Sequence, residues 1–144
     1  MDIIGKFSGQ YEFLSNFYDQ AFEYDGYVFK TAEHAYQAQK TIDEVDFEKI
    51  KNAETPGLAK RLGAKIYVRW DWDDIKLDIM YRIVFAKFSS SPELQKKLIA
   101  TYPSQLVEAN TWNDTFWGVC NGKGENHLGK ILMNVRQILM RIEI

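Results

Sequence analysis

A short stretch of the sequence, TAEHAYQAQK at positions 31–40, contains the residue types that acid–base chemistry needs. Thr31 followed by good helix formers predicts a helix with Thr31 as its N-cap. Four residues spaced three and four apart share one face of such a helix: Glu33, Tyr36, Gln37 and Lys40. Two interpretations are open. The face is reactive, or it is a solvated face on which Glu33 stabilises the helix dipole by ~0.3–1 kcal/mol.

A second group of polar and aromatic residues occupies positions 110–125, which show neither a helical nor a strand pattern. Long irregular loops inside a compact domain are uncommon and usually functional. This one holds Trp112, Asn113, Asp114, Trp117 and Lys123. Rings beside a carboxylate and an amine suit a nucleobase–sugar–phosphate ligand, with stacking worth ~1–3 kcal/mol per base. Core packing is the alternative for these tryptophans, and also for Trp70 and Trp72.

Other candidate groups carry weaker patterns. His34 and His127 each fall in a first helical turn, where a single histidine is more often structural than a ligand. The one cysteine, Cys120, has no obvious activating neighbour, and with two histidines it cannot complete a zinc site. Gly-Lys-Gly at 122–124, ahead of a helix capped by Asn126, is either an anion cradle or a flexible loop. No metal or other cofactor is expected.

Length and composition narrow the class of protein. A chain of 144 residues is the size of one domain, and 46% hydrophobic with 26% charged residues is typical of a soluble globule. A net charge of −2 excludes a global basic field for holding duplex nucleic acid. No apolar run approaches the ~18 residues of a membrane span, and the start has no basic leader. With a single cysteine, this composition predicts a cytoplasmic protein without a membrane partner.

The patterns predict the elements that position these residues. An Asp-Gly turn at 25–26 between alternating segments predicts a β-hairpin that leads into the Glu33 helix. The remaining expectations are a strand at 3–7, a loop at 9–18, helices at 43–52, 55–63, 72–88 and 93–101, an extended 66–68, a short strand at 106–108, and a final amphipathic helix after Asn126. Asp71 is the expected cap of the helix at 72–88. The predicted fold class is α+β, predominantly helical, in one domain covering 1–144.

Several blocks of the sequence, in this order, resemble the YbiA-like family, also called NADAR. No single block is specific, but the ordered set is, and it extends from about residue 7 to 140. The blocks are Leu14-Ser15-Asn16-Phe17, Asp25-Gly26, Glu33-His34, Gln37-Ala38-Gln39-Lys40, Trp72, Lys87-Phe88, Leu106-Val107-Glu108, Asn113-Asp114, Trp117-Gly118, Gly122-Lys123-Gly124, Asn126, Leu128-Gly129, Leu132-Met133 and Arg136.

The resemblance implies a small, helix-rich N-glycosidase. Members of this family cleave the N-glycosidic bond of phosphoribosyl-aminopyrimidine intermediates of riboflavin synthesis, and others remove ADP-ribose from guanine in nucleic acid. Transferred to this sequence, the catalytic glutamate is Glu33 and the stacking tryptophan is Trp72, while Asp114 and Trp117 are the pair from the late loop. The resemblance also implies ribose or phosphate contacts for five polar residues: Asn16, Lys40, Lys87, Lys123 and Asn126.

Cleavage of a ribosyl C–N bond passes through an oxocarbenium-like state, which a fixed carboxylate stabilises. The helix N-terminus favours the ionised form of Glu33, so we expect it to stabilise the cation and to act as base for water. Asp114 is then expected to orient the ribose or assist the leaving base. A non-catalytic module that binds nucleotides or ADP-ribose is the alternative, followed by an interaction domain without a pocket. The expected partner is a small ribotide or ADP-ribosyl substrate, or ADP-ribosylated nucleic acid; the sequence leaves that choice and the oligomeric state open.

Overall fold

The computed structural model describes residues 2–143, whose contacts form two units. The central unit is Asn16–Ser90, and the terminal unit consists of the residues up to Ser15 and from Ser91 onward. In chain order the elements are β1 (Ile3–Ile4), a 3₁₀ helix (Gly9–Leu14), β2 (Phe22–Tyr24), β3 (Tyr27–Phe29), α1 (Ala32–Ala38), α2 (Glu44–Lys51), α3 (Pro56–Gly63), α4 (Trp72–Ser89), α5 (Pro92–Ala100), β4 (Gln105–Leu106), β5 (Ala109–Asn110), β6 (Val119–Cys120) and α6 (His127–Glu143).

Helices predominate over strands, and the predicted α+β class is confirmed. The strands form three separate two-stranded sheets: β2 with β3, β1 with β4, and β5 with β6. Within residues 2–143, none of the helices combines the length and the apolar character needed to cross a bilayer.

The hairpin of the central unit forms where the Asp-Gly turn predicts it. Asp25 and Gly26 have φ angles of 53° and 84°, the left-handed values that a tight two-residue hairpin turn requires. The antiparallel register pairs Phe22 with Phe29, and both rings are buried. Only two residues, Lys30 and Thr31, lie between the end of β3 and the start of α1. The hairpin therefore fixes where that helix begins.

Helix α1 lies in the interior of the protein. The hydroxyl of Thr31 accepts a hydrogen bond from the backbone N–H of His34 at 3.2 Å, so the predicted N-cap is confirmed. Every residue of the helix is buried, because α2, α3, α4 and β3 all pack against it. The solvated-face interpretation is therefore wrong. Lys40, predicted to share this face, follows the helix rather than lying in it.

Three other helix starts are confirmed by side-chain caps. Asp43 accepts from Asp46 N at 3.0 Å, Thr55 from Leu58 N at 3.1 Å, and Ser91 from Leu94 N at 3.2 Å. Two expected caps do not form. The side chain of Asp71 ahead of α4 makes no cap bond and instead pairs with Arg69 across 2.6 Å. The Oδ1 of Asn126 ahead of α6 accepts from Glu108 N rather than from an N–H of its own helix.

The terminal unit is built on α6, which packs against α5 and β4. Five apolar residues of this amphipathic helix are buried: Leu128, Ile131, Leu132, Val135 and Leu139. Ile138 is partly buried, and Ile142 is 69% exposed. β1 pairs in parallel with β4, joining Ile3 to Gln105 and Ile4 to Leu106. β5 pairs in parallel with β6. The segment predicted to be irregular, 110–125, therefore contains a short strand at Val119–Cys120.

A few predicted elements differ from the structure. The loop expected at 9–18 begins as a 3₁₀ helix, since burial of Phe13 and Leu14 draws that segment into a tight turn. The strand expected at 3–7 is only two residues long. Residues 66–68 form no strand, and Tyr67 is almost fully exposed. Gly63 is the last residue of α3 rather than the residue after it.

The buried ring of His34 predicts a pH-dependent stability. Its Nε2 lies 2.9 Å from the carbonyl oxygen of Ala53 and its Nδ1 lies 2.8 Å from the Thr31 hydroxyl, a pattern that fits a neutral imidazole. Burial, the largest cause, lowers the pKa of His34 below its ordinary value of 6.5. The unfolded chain therefore binds the proton first, and the contribution of His34 to stability is present above pH 6.5 and lost as the pH falls.

We expect His34→Gln to make the free energy of unfolding less dependent on pH between about pH 7 and about pH 5. Urea unfolding of the wild type and the variant across that range measures this dependence. His127→Gln, which removes the other histidine, is the matched control. If wild type and His34→Gln lose equal stability as the pH is lowered, His34 is not the neutral buried group that causes the pH dependence.

Candidate functional site

Glu33 is a buried carboxylate fixed at the beginning of α1. Its backbone N–H donates to the carbonyl oxygen of Asn16 at 3.0 Å, which satisfies one of the unpaired donors of the helix N-terminus. Its Oε2 accepts a hydrogen bond from Gln37 Nε2 at 2.6 Å. The residue is only 7% exposed. The backbone hydrogen bond to Asn16 and the side-chain hydrogen bond from Gln37 thus fix the position of the Glu33 carboxylate.

Lys40 provides a cation in the electrostatic field of Glu33. Its Nζ lies 5.6 Å from the centre of the Tyr36 ring, and its carbonyl oxygen accepts from Arg69 N at 2.8 Å. Burial lowers the pKa of Lys40 from its ordinary value, and the Glu33 carboxylate opposes that shift. Lys40 lies beyond the helix, so it does not share a helical face with Glu33, and its link to Glu33 is electrostatic.

The tryptophans have different environments. Trp72, the first residue of α4, is 7% exposed, and its ring centre lies 5.2 Å from that of Tyr36. Trp70 and Trp112 are 92% and 57% exposed, so core packing is wrong for both. Trp117 is half-buried, with its ring centre 4.8 Å from that of Phe116. Trp72 is thus a buried ring next to the Glu33 helix.

Two further predicted residues of the central unit have unusual environments. Lys87 on α4 is 1% exposed, with Nζ 5.1 Å from the centre of the Phe88 ring and 5.7 Å from that of Tyr18. Burial lowers the pKa of Lys87 to about 7. Asn16 directs its Nδ2 at the sulfur of Met80, 3.5 Å away. A thioether is a weak acceptor, so little stability is lost when the Asn16 amide gives up this hydrogen bond for a stronger one.

Asp114 in the terminal unit is held by its own loop. Its Oδ1 accepts from the N–H groups of Phe116 at 3.1 Å and Trp117 at 2.9 Å. Asn110 bonds the same residue from both polar atoms, since its Oδ1 accepts from Asp114 N at 3.1 Å and its Nδ2 donates to Asp114 O at 2.8 Å. Within residues 2–143, Oδ2 of Asp114 has no hydrogen-bond partner. That oxygen is the one available to a ligand.

Asn126 stabilises the fold through both polar atoms of its side chain. Its Oδ1 accepts from Glu108 N at 2.9 Å, and its Nδ2 donates to Leu106 O at 3.0 Å. The N–H groups of His127 and Leu128 donate to the carbonyl oxygens of Phe116 and Trp117. These two N–H groups are already used by the loop and are not available to an anion. The anion-cradle alternative at this helix start is therefore wrong for His127 N and Leu128 N. A substrate contact for Asn126 stays a prediction, as it does for the exposed Lys123.

Sequence reasoning missed the roles of Gln37 and Gly63. Sequence reasoning puts Gln37 on the face of Glu33 but not among the site residues, although a spacing of four residues is the signal for the hydrogen bond that forms. It does not single out Gly63. Its contact with Gln37 depends on how α3 packs on α1, which no local pattern reveals.

Comparison with known proteins places the chain in a family. The family model described as the NADAR domain matches residues 5–140. N-glycosidase YbiA of Shigella flexneri serotype 5b is 40% identical over 135 residues, which cover 92% of this chain and 84% of that protein. A riboflavin biosynthesis protein of Vibrio vulnificus is 40% identical over 131 residues, covering 88% of this chain and 35% of that protein.

A solved structure matches as well. The NMR structure of YbiA from Escherichia coli superposes with a TM-score of 0.88 at 36% identity, covering 99% of this chain and 88% of that one. These matches define the class of protein, a hydrolase that acts on N-glycosyl bonds. The chain belongs to the NADAR family. The resemblance predicted from the ordered blocks is confirmed.

The environments of the tryptophans predict different effects of truncation. Trp72→Ala should destabilise the protein by ~3–5 kcal/mol, because it removes a buried ring. Trp117→Ala should destabilise it less and weaken binding of a ribonucleotide by ~1–3 kcal/mol if the ring stacks on a base. Urea midpoints and ligand titrations of the same variants separate these effects. Trp70→Ala is the exposed control, expected within ~0.5 kcal/mol of wild type. If Trp117→Ala strongly destabilises the protein while its folded fraction binds the ribonucleotide as tightly as wild type, Trp117 has no ligand role.

The lowered pKa of Lys87, about 7 against an ordinary 10.5, predicts stability that rises with pH. Between these two pKa values the unfolded chain binds a proton at Lys87 that the folded chain does not. Raising the pH in that range therefore favours the folded state. The stability of wild type relative to Lys87→Met should increase by roughly 2 kcal/mol from about pH 7.5 to about pH 9.5. Chemical denaturation at both values measures the change. Exposed Lys96, changed to Met, is the control, and an equal change in both variants would contradict a neutralised Lys87.

Proposed function

We propose that this enzyme hydrolyses the N-ribosyl bond of phosphoribosyl-aminopyrimidine intermediates of riboflavin synthesis. The observation that carries the proposal is the Glu33 carboxylate, 7% exposed and held by an amide at 2.6 Å. The name of the Vibrio vulnificus relative supports the choice of pathway. ADP-ribosylated guanine, free or within nucleic acid, is the second substrate class to test, since it presents the same kind of ribosyl C–N bond.

The proposal gives Glu33 the central chemical role. As the C–N bond breaks, positive charge develops on the ribose, and a fixed carboxylate stabilises that charge more than a mobile one does. The same carboxylate accepts a proton from the water that attacks the anomeric carbon. The electrons of the broken bond leave with the nitrogen of the base, which takes up the proton that Glu33 accepted from water. The carboxylate is thereby regenerated, and the products are a free sugar phosphate and the aminopyrimidine.

The other predicted residues receive binding roles. In the central unit, Trp72 stacks against the base, Lys40 and Lys87 bind phosphate, and the amide of Asn16 contacts ribose or phosphate. In the terminal unit, four residues keep the ligand roles that the family resemblance implies: Asp114, Trp117, Lys123 and Asn126. Oδ2 of Asp114 is the oxygen proposed for that role, because Oδ1 is engaged by the loop. Phosphate next to Lys87 favours its protonated form and so reverses the effect of burial.

Glu33→Gln should abolish turnover without unfolding the protein. The amide keeps the shape of the side chain and can still accept from Gln37, whereas loss of the carboxylate removes the base and should reduce kcat by about 100-fold or more. Release of ribose 5-phosphate, followed by mass spectrometry, measures kcat. Glu23→Gln, at the exposed position of strand β2, is the matched control, because it makes the same chemical change away from α1.

The same assay distinguishes the substrate classes and the alternative function. Wild type is incubated with a phosphoribosyl-aminopyrimidine and, separately, with ADP-ribosylated guanosine. Release of ribose 5-phosphate supports the proposed substrate, and release of ADP-ribose alone supports the second class. Saturable binding with full recovery of intact ligand, equal in wild type and Glu33→Gln, would instead favour a binding module.

A further inference from the structure

Gln37 is a buried amide whose only described hydrogen bond is to the proposed catalytic carboxylate. It is 4% exposed and lies one helical turn after Glu33, and its Nε2 donates to Glu33 Oε2 at 2.6 Å. Within residues 2–143, its Oε1 is buried without a hydrogen-bond partner. An ionised carboxylate accepts hydrogen bonds and donates none. Glu33 therefore fixes which end of the amide faces it, and Oε1 must point away.

A buried acceptor without a partner lowers stability, and an apolar side chain of similar shape would not. The amide at position 37 is thus a poor choice for packing alone. What it contributes is a donor to the ionised form of Glu33. Such a donor restricts the rotation of the carboxylate and favours its charged state in the protein interior.

Gly63 holds the amide in that position. The end of α3 packs so closely on α1 that a Cβ at residue 63 would overlap Gln37 Oε1 and lie 2.8 Å from its Cδ. Gly63 adopts a regular helical conformation, so backbone freedom does not require glycine here. The close approach does. The amide is therefore confined between the backbone of α3 and the carboxylate of Glu33.

We infer that Gln37 is a positioning residue for the N-glycosidase reaction, confined by Gly63 and acting through Glu33. The inference rests on the proposed function, in which Glu33 is the catalytic carboxylate. Gln37 holds the carboxylate of Glu33 in the orientation that faces the ribose, through the hydrogen bond from its Nε2. Gly63 acts on the reaction only through Gln37.

The test compares five variants: Gln37→Leu, Gln37→Ala, Gly63→Ala, the double variant Gly63→Ala/Gln37→Ala, and Glu33→Gln. We expect Gln37→Leu to lower kcat by up to about 100-fold with little change in KM, because misplacement of a reacting group affects the transition state more than substrate binding. The acidic limb of its kcat–pH profile should move to higher pH, since the donor that favours the ionised carboxylate is lost. Lys40, the cation in the field of Glu33, is retained in every variant.

Gly63→Ala should lower kcat when Gln37 is present and change it little in the Gln37→Ala background, which a double-mutant cycle measures. This cycle also decides the matter if Gln37→Leu does not fold, because alanine is a better helix former than glycine at residue 63. Wild-type kcat and pH profile in Gln37→Leu, or equal effects of Gly63→Ala in both backgrounds, would overturn the inference while Glu33→Gln stays inactive. Full activity of Glu33→Gln would overturn the proposed function itself.

Discussion

Burial of a polar helix is the constraint on which the central unit depends. Helix α1 carries a glutamate, a histidine and a glutamine into the interior, where polar groups without partners are strongly destabilising. Partners come from several parts of the unit: the Thr31 hydroxyl and the Ala53 carbonyl for His34, the Asn16 carbonyl for Glu33 N, and the Gln37 amide for the carboxylate. The surrounding helices are therefore arranged around hydrogen bonds as well as apolar contacts.

This arrangement links stability to chemistry. A helix chosen for packing alone would carry apolar residues. Gln37 Oε1, a buried acceptor without a hydrogen-bond partner among residues 2–143, shows that α1 is not optimised in that way. Burial within the central unit also lowers the pKa values of His34, Lys40 and Lys87. A hydrolase of N-glycosyl bonds needs a fixed charge shielded from bulk water, since electrostatic stabilisation is stronger there. The interior of the central unit provides that environment.

Local interactions could be predicted from the sequence, and distant ones could not. The cap at Thr31 is a bond across three residues, so the sequence pattern predicts it. The cap expected of Asp71 does not form, because its carboxylate pairs with Arg69. The bonds of Asn126 to residues about twenty positions away, and the contact of Gly63 with α1, arise only when elements pack. Burial of Glu33 has the same origin. The family resemblance supplied the class of enzyme, while the roles of individual site residues and the single-domain organisation stay predictions.

Chemical rescue tests the central claim most directly, namely that Glu33 supplies the carboxylate for hydrolysis. Glu33→Ala leaves a gap on α1 that a small carboxylate such as formate can enter. The account predicts that formate restores part of the turnover of folded Glu33→Ala, measured as release of sugar phosphate, and does not increase that of wild type or Asp114→Ala. Wild-type turnover by folded Glu33→Ala without formate would contradict it.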